Sequence, residues 1–454
     1  MFTSVILSAG MGTRMKSELP KVLHKICGKE LCRWVAETSQ NAGADKVVSV
    51  IGHKGEMVKE SLSDLCEYAV QSEQKGTGHA VMQALDFIKA AGKNTVILNG
   101  DAPLIKTETI KNAVEYHNAN GNAVTVITAL LDDASGYGRI VREADGSVKK
   151  IVEHKDASDE ERKINEVNSG MYVFDSSLLA EALLELTPNN AQGEYYLTDT
   201  VEILIGKGKK AGAYTVSDCD EIRGINDRVQ LSEAEAIMQD RIIRYHMLNG
   251  VTMRHPQSIY IEADVEIGQD TVIDRNVEIF ANTKIGQNCY LGMGSRLDKA
   301  IIGNGVEVLS SVVLESEIGD NTNVGPFAYV RPHCKVGSNV KVGDFVEIKN
   351  SVIDDKTKIS HLTYIGDSDV GKNVNFGCGT VTCNYDGKKK FRSTIGDNSF
   401  IGCNTNLVSP VKVNDGAFTA AGSTITDEVP ENALAIARAK QVNKTNWTRP
   451  KDRK

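Results

Sequence analysis

Apolar residues recur every six positions through much of the second half of the chain. Three runs keep this period: Ile261, Ile267, Ile273, Ile279, Ile285, Leu291 and Leu297; Ile318, Val324, Val330, Val336, Val342 and Ile348; and Ile395, Ile401, Leu407 and Val413. Glycine often follows the apolar residue, as at Gly268, Gly319 and Gly402. A hexapeptide period is typical of a parallel β-helix, in which three hexapeptides form one coil of about 18 residues. The pattern therefore predicts a β-helix from about residue 251 onward.

The period is interrupted after Phe376. The next apolar slot falls at Thr382, but the pattern resumes only at Ile395. About seven residues more than the repeat requires must therefore leave the coil, in the stretch that contains the segment 383–390. A loop of this kind is more often a binding loop than an insertion without a function, so we expect it to contact a substrate or a partner.

The first 225 residues follow a different pattern, in which short β-rich runs alternate with amphipathic segments. The runs include Ser4–Leu7, Val47–Ile51, Thr95–Leu98 and Val124–Thr128, and the amphipathic segments include Leu31–Asn41 and Thr107–Asn118. This alternation predicts an α/β, Rossmann-like domain with a largely parallel sheet between two layers of helices. Ligands of such domains bind at the carboxyl ends of the strands.

A third pattern separates these two halves. Between Asn226 and Asn249 apolar residues recur at helical spacing, and Gly250 stands where a helix C-cap is expected. We therefore predict three parts: an α/β domain at 1–225, a connecting helix at 226–250, and a β-helix domain with a C-terminal tail at 251–454.

Composition and charge narrow the classes of function. The 454 residues are 41% hydrophobic and 25% charged, as in soluble globular proteins, and they are too many for one ordinary core. A net charge of −8 argues against nonspecific nucleic-acid binding. The apolar start of the chain indicates a buried strand rather than a signal peptide, and no apolar stretch approaches the ~20 residues of a membrane helix. Nine cysteines without a Cys-x-x-Cys pair fit reduced thiols and no zinc site, so we expect a cytoplasmic protein without a membrane partner.

Glycines and basic residues follow the first predicted strand. Gly10 and Gly12 would let backbone N–H groups approach phosphates, and Arg14 and Lys21 supply positive charge for phosphoryl transfer. Alone, the glycines also fit an ordinary strand–turn, because the third glycine of a dinucleotide fingerprint is missing. Asp101 follows a later predicted strand, where a carboxylate either holds Mg²⁺ with substrate phosphates or caps a turn.

Two cations interrupt the glycine pattern of the predicted β-helix. Arg331 and Lys349 each follow the apolar residue of a hexapeptide one coil apart, so we expect them to stack on one corner. Stacked cations repel unless an anion lies between them, which indicates a phosphate site; two solvated side chains that splay apart are the alternative.

His361, two positions after Ile359, would point toward a corner. It is either a structural residue or the base that takes a proton from an attacking amine.

Together these motifs resemble the sugar-phosphate nucleotidyltransferases, and most closely the bacterial family of bifunctional N-acetylglucosamine-1-phosphate uridylyltransferase/glucosamine-1-phosphate N-acetyltransferase enzymes. The segments that carry the resemblance are Gly10 to Met15, Pro20-Lys21, Gln71 with Gly76-Thr77, Asn190 to Tyr196, and Asn226. It covers nearly the whole chain and implies that the β-helix is left-handed. The implied function is acetyl transfer from acetyl-CoA to glucosamine-1-phosphate by the C-terminal part. Uridylyl transfer from UTP to the product, with release of pyrophosphate, would follow in the N-terminal part.

The resemblance also implies a role for individual residues. In the N-terminal part, uridine would be contacted by Leu7, Ser8, Ala9, Gly10, Gln71, Gly76 and Thr77, and the substrate site would be extended by Asn99, Gly100 and Asp101. The phosphates would be met in catalysis by Arg14 and Lys21, and N-acetylglucosamine would be held by Gly138, Glu153 and Asn168. Mg²⁺ would be shared by Asp101 and Asn226. In the C-terminal part, the catalytic base would be His361. Glucosamine-1-phosphate would be bound by Arg331, Lys349, Tyr364 and Asn375, and acetyl-CoA by Cys378, Asn384, Tyr385, Cys403, Ala421 and Arg438. Family members form trimers with this second site between neighbouring β-helices.

The chain departs from the family pattern at a few positions. Ser8 replaces alanine and Asn99 replaces an aromatic residue, and both should change affinity rather than chemistry. Cys378 and Cys403 replace residues that are often alanine and serine, and both are small enough to fit.

The competing hypothesis is a single-activity sugar nucleotidyltransferase whose β-helix serves oligomerisation or regulation. The stacked cations, the histidine and the extra loop argue against it, since a purely structural solenoid needs none of them.

Overall fold

The computed structural model describes residues 2–189, 192–448 and 451. Asn190 and Ala191, which begin one of the family motifs, lie outside the described residues, as do tail residues 449, 450 and 452–454. The chain divides into two compact units, residues 1–238 and 239–454.

The first unit contains a nine-stranded sheet with the strand order β11-β7-β10-β6-β1-β4-β5, to which β8 and β9 are added beside β10. A separate hairpin is formed by β2 and β3. The strands are β1 (Phe2–Leu7), β2 (Lys25–Ile26), β3 (Lys29–Glu30), β4 (Lys46–Ile51), β5 (Glu67–Val70), β6 (Asn94–Asn99), β7 (Val124–Leu130), β8 (Arg139–Arg142), β9 (Val148–Val152), β10 (Glu166–Asp175) and β11 (Ala211–Thr215). Strands β6, β1, β4 and β5 are parallel, and β10 runs antiparallel to both of its neighbours. The predicted, largely parallel α/β sheet is confirmed.

Helices cover both faces of this sheet. They are α1 (Leu31–Asn41), α2 (Gly55–Ser61), α3 (Thr77–Gln83), α4 (Leu85–Lys89), α5 (Thr107–Asn120), α6 (Asp159–Arg162), α7 (Ser176–Leu183) and α8 (Asp199–Gly206). Alternate residues of β1 face opposite layers: Val5 packs in one apolar cluster with α3, α4, α7 and α8, whereas Ile6 packs in another with α1, α2 and α5. The alternating side chains of the strand thus pack against the apolar faces of the helices on both sides of the sheet.

Helix α9 (Arg228–Leu248) crosses from the first unit into the second. It begins two residues later than the prediction, because the Asp227 carboxylate accepts hydrogen bonds from the backbone N–H groups of Val229 and Gln230, both at 2.9 Å. At its other end Gly250 has a φ of 92°, a conformation that favours glycine and ends the helix.

The second unit is a left-handed parallel β-helix, as the hexapeptide period and the family resemblance together predict. Its three faces are parallel sheets of eleven, ten and nine strands. The first face contains β12 (Thr252–Met253), β15 (Val272–Ile273), β18 (Tyr290–Leu291), β21 (Glu307–Val308), β24 (Asn323–Val324), β27 (Lys341–Asp344), β30 (Lys358–His361), β33 (Asn375–Phe376), β36 (Phe400–Ile401), β39 (Phe418–Thr419) and β41 (Leu434–Ala435).

The other two faces follow the first in every coil. The second face contains β13 (Tyr260–Ile261), β16 (Glu278–Ile279), β19 (Arg296–Asp298), β22 (Val312–Leu314), β25 (Tyr329–Val330), β28 (Glu347–Lys349), β31 (Tyr364–Gly366), β34 (Val381–Cys383), β37 (Asn406–Val408) and β40 (Thr424–Ile425). The third face contains β14 (Glu266–Ile267), β17 (Lys284–Ile285), β20 (Ile301–Ile302), β23 (Glu317–Ile318), β26 (Lys335–Val336), β29 (Val352–Ile353), β32 (Ser368–Val370), β35 (Ser393–Ile395) and β38 (Lys412–Val413).

The periodic apolar residues fill the interior of this β-helix. Val330, Ile348 and Leu407 are fully buried, and nearly all the others are at most 5% exposed. Ile267, near the beginning, is only partly buried. The chain turns between faces in the left-handed backbone conformation, often at asparagine, as in Asn321 with a φ of 55°.

The interruption of the period corresponds to a real insertion. Val370 pairs with Ile395, about seven residues beyond the 18-residue step that joins Val272 to Tyr290. The extra residues form a loop between β34 and β35, closed by a bridge between Tyr385 and Lys390.

Candidate active sites

The carboxyl ends of four parallel strands meet at one edge of the α/β sheet. Leu7, the last residue of β1, lies between Asn99 of β6 and Val50 of β4. Gly100 follows β6, and a Cβ atom there would lie 2.6 Å from Ser8 Oγ and 3.0 Å from the Leu7 carbonyl. Only glycine lets the two strand ends approach so closely. The predicted residues Leu7, Ser8, Asn99 and Gly100 are thus brought together.

The glycine loop after β1 brings Lys21 to this edge. Gly12 has a φ of 61°, and a Cβ there would lie 2.5 Å from Lys21 Cβ, so a side chain at position 12 would displace the lysine. Lys21 Nζ donates to Asp101 Oδ2 and, at 3.1 Å, to Asn226 Oδ1. Arg14 Nη2 donates to the same Asn226 oxygen at 2.9 Å. Two cations, a carboxylate and an amide oxygen therefore form one polar cluster.

Asp101 and Asn226 fit the expected role in binding a metal. Their side-chain oxygens converge on one atom, Lys21 Nζ, so both can reach a single cation between them. Among the described residues, no group of three or more His, Cys, Asp or Glu side chains is placed to hold a metal. Two protein oxygens completed by substrate phosphates and water are the arrangement that Mg²⁺ commonly adopts.

The expected uridine residues lie at the ends of β1 and β5. Gln71 follows β5, and its Nε2 donates to the Gly76 carbonyl at 3.2 Å. Thr77 Oγ1 accepts from the Leu197 backbone N–H at 3.1 Å, so this loop is attached to the end of the Asn190-to-Tyr196 motif. Sequence reasoning missed Gln74, whose side chain donates to the Ala9 carbonyl at 2.6 Å.

A cavity of about 580 Å³ opens beside the same sheet edge. Its lining includes the predicted residues Leu7, Thr77, Asn99, Glu153 and Asn168. Lining residues that received no individual role from the sequence include Lys155, Tyr172, Tyr196 and Thr198.

Polar groups in this cavity are fixed by the protein. The Tyr172 hydroxyl accepts from Asn168 Nδ2 at 2.9 Å, and the Gly138 carbonyl accepts from the Asn168 backbone N–H at the same distance. Burial raises the pKa of Glu153, and the Asp156 charge adds to this effect. The cavity thus combines one carboxyl group with fixed amide and hydroxyl groups, which suits a neutral polar ligand such as a sugar.

On the β-helix, His361 lies at the corner between the first and second faces. Its Nδ1 is 2.6 Å from Oδ1 of Asp344, which occupies the same position one coil earlier. The contact holds the pKa of Asp344 below its usual range. An Nδ1–H that donates to this carboxylate leaves Nε2 as the proton acceptor. Sequence reasoning missed Asp344, although it stands two positions after a periodic residue, as His361 does.

Arg331 and Lys349 lie near the opposite corner of the second face, stacked in adjacent coils as predicted. Each has a carboxylate partner: Glu347 at 2.8 Å from Arg331, and Asp367 at 3.8 Å from Lys349. Lys390 of the extra loop lies against Lys349. Its ammonium lowers the pKa of Lys349, and burial and Arg331 act in the same direction. Three cations are therefore neighbours at one corner, which favours the phosphate hypothesis over two splayed side chains.

Tyr364 and the extra loop meet across the second face. Asn384 Nδ2 donates to the Tyr364 hydroxyl at 3.3 Å and to Asp367 Oδ2 at 2.5 Å. A Cβ on Gly366 would collide with the Tyr364 hydroxyl and lie 2.6 Å from Asn384 Nδ2, so glycine permits this contact. Tyr385 is exposed on the loop.

Asn375 is not on the same face as Tyr364. It belongs to β33 of the first face, whereas Tyr364 belongs to β31 of the second. The two are separated by the corner that carries His361. Within one chain the expected glucosamine-1-phosphate residues are thus divided between two faces.

The expected acetyl-CoA residues continue the corner of His361. Cys378, Cys403 and Ala421 occupy the same position in three successive coils, joined by backbone hydrogen bonds from Asn404 to Cys378 (2.7 Å) and from Gly422 to Cys403 (2.8 Å). Cys378 is half-buried and Cys403 is exposed. Arg438 lies beside Gly422 at the end of this column.

Two family models match separate parts of the chain. The Nucleotidyl transferase family model matches residues 3–220, and the model of the bacterial transferase hexapeptide (six repeats) matches residues 315–350 and 392–427. Among solved structures, a putative glucose-1-phosphate thymidylyltransferase from Bacillus anthracis covers 53% of this chain and 96% of its own, with 20% identity and a TM-score of 0.44. That likeness is too weak to inform the fold or the site.

Curated relatives match the chain over almost its full length. The Bifunctional protein GlmU of Acetivibrio thermocellus is 60% identical over 98% of this chain and 96% of its own. Those of Caldanaerobacter subterraneus subsp. tengcongensis and a Clostridium botulinum strain are each 55% identical, over 99% and 98% of this chain and 98% and 97% of their own. The chain belongs to the GlmU family of bifunctional transferases, in which a nucleotidyltransferase and a hexapeptide-repeat acetyltransferase form one polypeptide.

Proposed function

We propose that the chain makes UDP-N-acetylglucosamine in two steps. The β-helix transfers an acetyl group from acetyl-CoA to glucosamine-1-phosphate, and the α/β domain then transfers a uridylyl group from UTP to the product. The observation that carries the proposal is the His361–Asp344 pair on the β-helix that also presents Arg331, Lys349 and Lys390. A solenoid that served only for oligomerisation would need neither a base nor a phosphate-binding cluster.

In the α/β domain the reaction is an in-line displacement. A phosphate oxygen of N-acetylglucosamine-1-phosphate attacks the α-phosphorus of UTP, and pyrophosphate leaves with the electrons of the broken P–O bond. No protein nucleophile is required, because positioning and charge neutralisation account for most of the catalysis. Arg14 and Lys21 are placed to meet the developing negative charge, and the cavity of Glu153 and Asn168 holds the sugar.

Asp101 and Asn226 would hold Mg²⁺ in this site. The bound ion would neutralise phosphate charge there. Lys21 contacts both of these residues, so its ammonium lies beside the position where it would meet the substrate phosphates.

In the β-helix the amine of glucosamine-1-phosphate attacks the thioester carbonyl of acetyl-CoA. His361 Nε2 accepts the proton that the amine loses, and the thiolate of coenzyme A leaves. Asp344 fixes the imidazole tautomer and stabilises the imidazolium that forms. Lys349, Arg331 and Lys390 hold the phosphate, and the column of Cys378, Cys403 and Ala421 lines the path of the donor.

Two assays on the purified chain test this function. One follows acetyl-CoA consumption with glucosamine-1-phosphate, and the other follows pyrophosphate release with UTP, N-acetylglucosamine-1-phosphate and Mg²⁺. We expect both activities. Pyrophosphate release without acetyl transfer would contradict the proposal and favour a single-activity nucleotidyltransferase with a structural β-helix.

We further propose that the protein acts as a homotrimer in the cytoplasm. The division of Asn375 and Tyr364 between two faces supports a site completed by a second copy, whose first face would meet this chain's second face. All nine cysteines lie among the described residues and none forms a disulfide, which fits a reducing compartment. No helix among the described residues is long and apolar enough to cross a membrane.

The corner beside His361 also carries exposed apolar residues. Phe327, Phe345 and Leu362 occupy successive coils, all more than half exposed and all with positive φ. The rings of Phe327 and Phe345 stack with centroids 5.5 Å apart. Bulky residues in this conformation are strained, so their presence supports a function such as contact with a second copy.

Replacing Phe345 by asparagine should weaken the trimer without unfolding the chain. Asparagine tolerates the left-handed conformation, so each monomer should gain stability on the order of 1 kcal/mol. Light scattering at decreasing protein concentration should show dissociation of Phe345→Asn before the wild type. Val352→Asn, on the exposed part of the third face, is the control and should behave as the wild type. Equal dissociation of wild type and Phe345→Asn would contradict the assignment.

A further inference from the structure

Asp367 lies between β31 and β32, at the corner where the second face turns into the third. It has a φ of 50° and is only 7% exposed, although its carboxylate faces a cluster of cations. A buried carboxylate in a strained backbone conformation is costly unless its partners compensate it. Neither the motifs nor the roles proposed above include this residue.

The Asp367 carboxylate contacts two other segments of the chain. Oδ1 accepts from Asn350 Nδ2 at 2.5 Å, and Oδ2 accepts from Asn384 Nδ2 at the same distance. Lys349 Nζ is 3.8 Å from Oδ2. The backbone adds two contacts, since Asp367 N–H donates to the Lys349 carbonyl and the Asp367 carbonyl accepts from Ser393 N–H. One side chain thus contacts the preceding coil and the loop that carries Tyr385 and Lys390.

The charges around Lys349 explain why this carboxylate matters. Lys390 and Arg331 both lower the pKa of Lys349, and burial does so as well. The Asp367 carboxylate acts in the opposite direction, raising the pKa of Lys349 and so favouring its protonated form. Without it, Lys349 would lose its proton at a lower pH, and above that pH its charge would no longer attract a phosphate.

We propose that Asp367 is a positioning residue that prepares both substrate subsites of the acetyl-transfer site. Through Lys349 it sets the charge that meets the phosphate of glucosamine-1-phosphate, and through Asn384 it fixes the base of the loop that meets acetyl-CoA. It touches neither substrate. This inference rests on the proposed acetyltransferase function.

The test is Asp367→Asn, with KM for each substrate measured from neutral to alkaline pH. Both KM values should rise about 10-fold, because a buried charged partner is lost. The rise in KM for glucosamine-1-phosphate with increasing pH should begin at a lower pH than in the wild type. Asp369→Asn is the matched control. Asp369 pairs with Arg392 and not with Lys349, so this variant should keep the wild-type pH dependence of that KM.

The double variant Asp367→Asn with Lys349→Arg separates positioning from simple loss of structure. A guanidinium stays protonated throughout this pH range, so KM for glucosamine-1-phosphate should recover and lose its pH dependence. KM for acetyl-CoA should stay raised, because the contact with Asn384 is not restored.

Several outcomes would overturn the proposal. These are wild-type KM values in Asp367→Asn, a loss that is equal at every pH, or no recovery in the double variant. An inactive wild type would instead reject the acetyltransferase function itself.

Discussion

Replacing His361 by alanine is expected to lower the rate of acetyl transfer about 10²–10⁴-fold, the usual contribution of a general base. The amine of glucosamine-1-phosphate enters as an ammonium or amine group and must lose a proton during attack. In His361→Ala no group remains where Nε2 stood, and Asp344 is left without its 2.6 Å partner. Initial rates of coenzyme A release at saturating substrates measure this effect.

The same preparation of His361→Ala should release pyrophosphate from UTP at the wild-type rate. His361 belongs to the second unit, and the residues proposed for uridylyl transfer belong to the first. Asp344→Asn should give a smaller loss of acetyl transfer, about 10–100-fold, because the imidazole remains but its orientation and charge partner are weakened. If His361→Ala acetylated glucosamine-1-phosphate at the normal rate, another group would have to be the base.

Replacing Lys21 by glutamine is expected to lower kcat for uridylyl transfer about 10²–10³-fold, as for other donors aimed at developing charge. Lys21 is the cation that contacts both Asp101 and Asn226. Its ammonium is brought there by Gly12, and the shorter, neutral amide cannot replace its charge. Pyrophosphate release under saturating UTP and Mg²⁺ measures the loss, while acetyl transfer should be unchanged.

Lys25→Gln serves as the matched control. Lys25 is exposed and pairs with Glu30 in the hairpin of β2 and β3, so its removal should leave both activities near the wild-type rates. A higher KM for UTP with unchanged kcat in Lys21→Gln would show that the lysine binds the substrate and the transition state equally. That result would contradict its catalytic role.

The periodic patterns predicted the fold well, because each has one physical cause. An apolar residue every six positions can be buried only if the chain turns through three faces per coil, and Val330, Val342 and Ile348 are buried in that way. The seven-residue insertion could be predicted for the same reason, because it shifts the period of the apolar residues. Helix α9 was predicted less well at its start, where Asp227 caps the helix by a contact that spacing does not reveal.

The candidate sites were predictable only in part. Arg331 and Lys349 could be paired from the sequence because they lie one coil apart, and Asp344 could have been paired with His361 by the same step. The contact of Lys390 with Lys349 depends on how an irregular loop folds back, and no period describes that. The separation of Asn375 from Tyr364 required knowledge of which face each strand occupies.

The loop between β34 and β35 leaves the coils before and after it in register. The length of the chain can therefore change at this corner, between the second and third faces, without changing the coils that hold His361. Loops of different length grafted between Tyr385 and Lys390 should leave the coils in register, provided that Asn384 and Lys390 keep their contacts with Asp367 and Lys349. This corner is thus the place where the length of the chain can vary while the three faces of the solenoid stay the same.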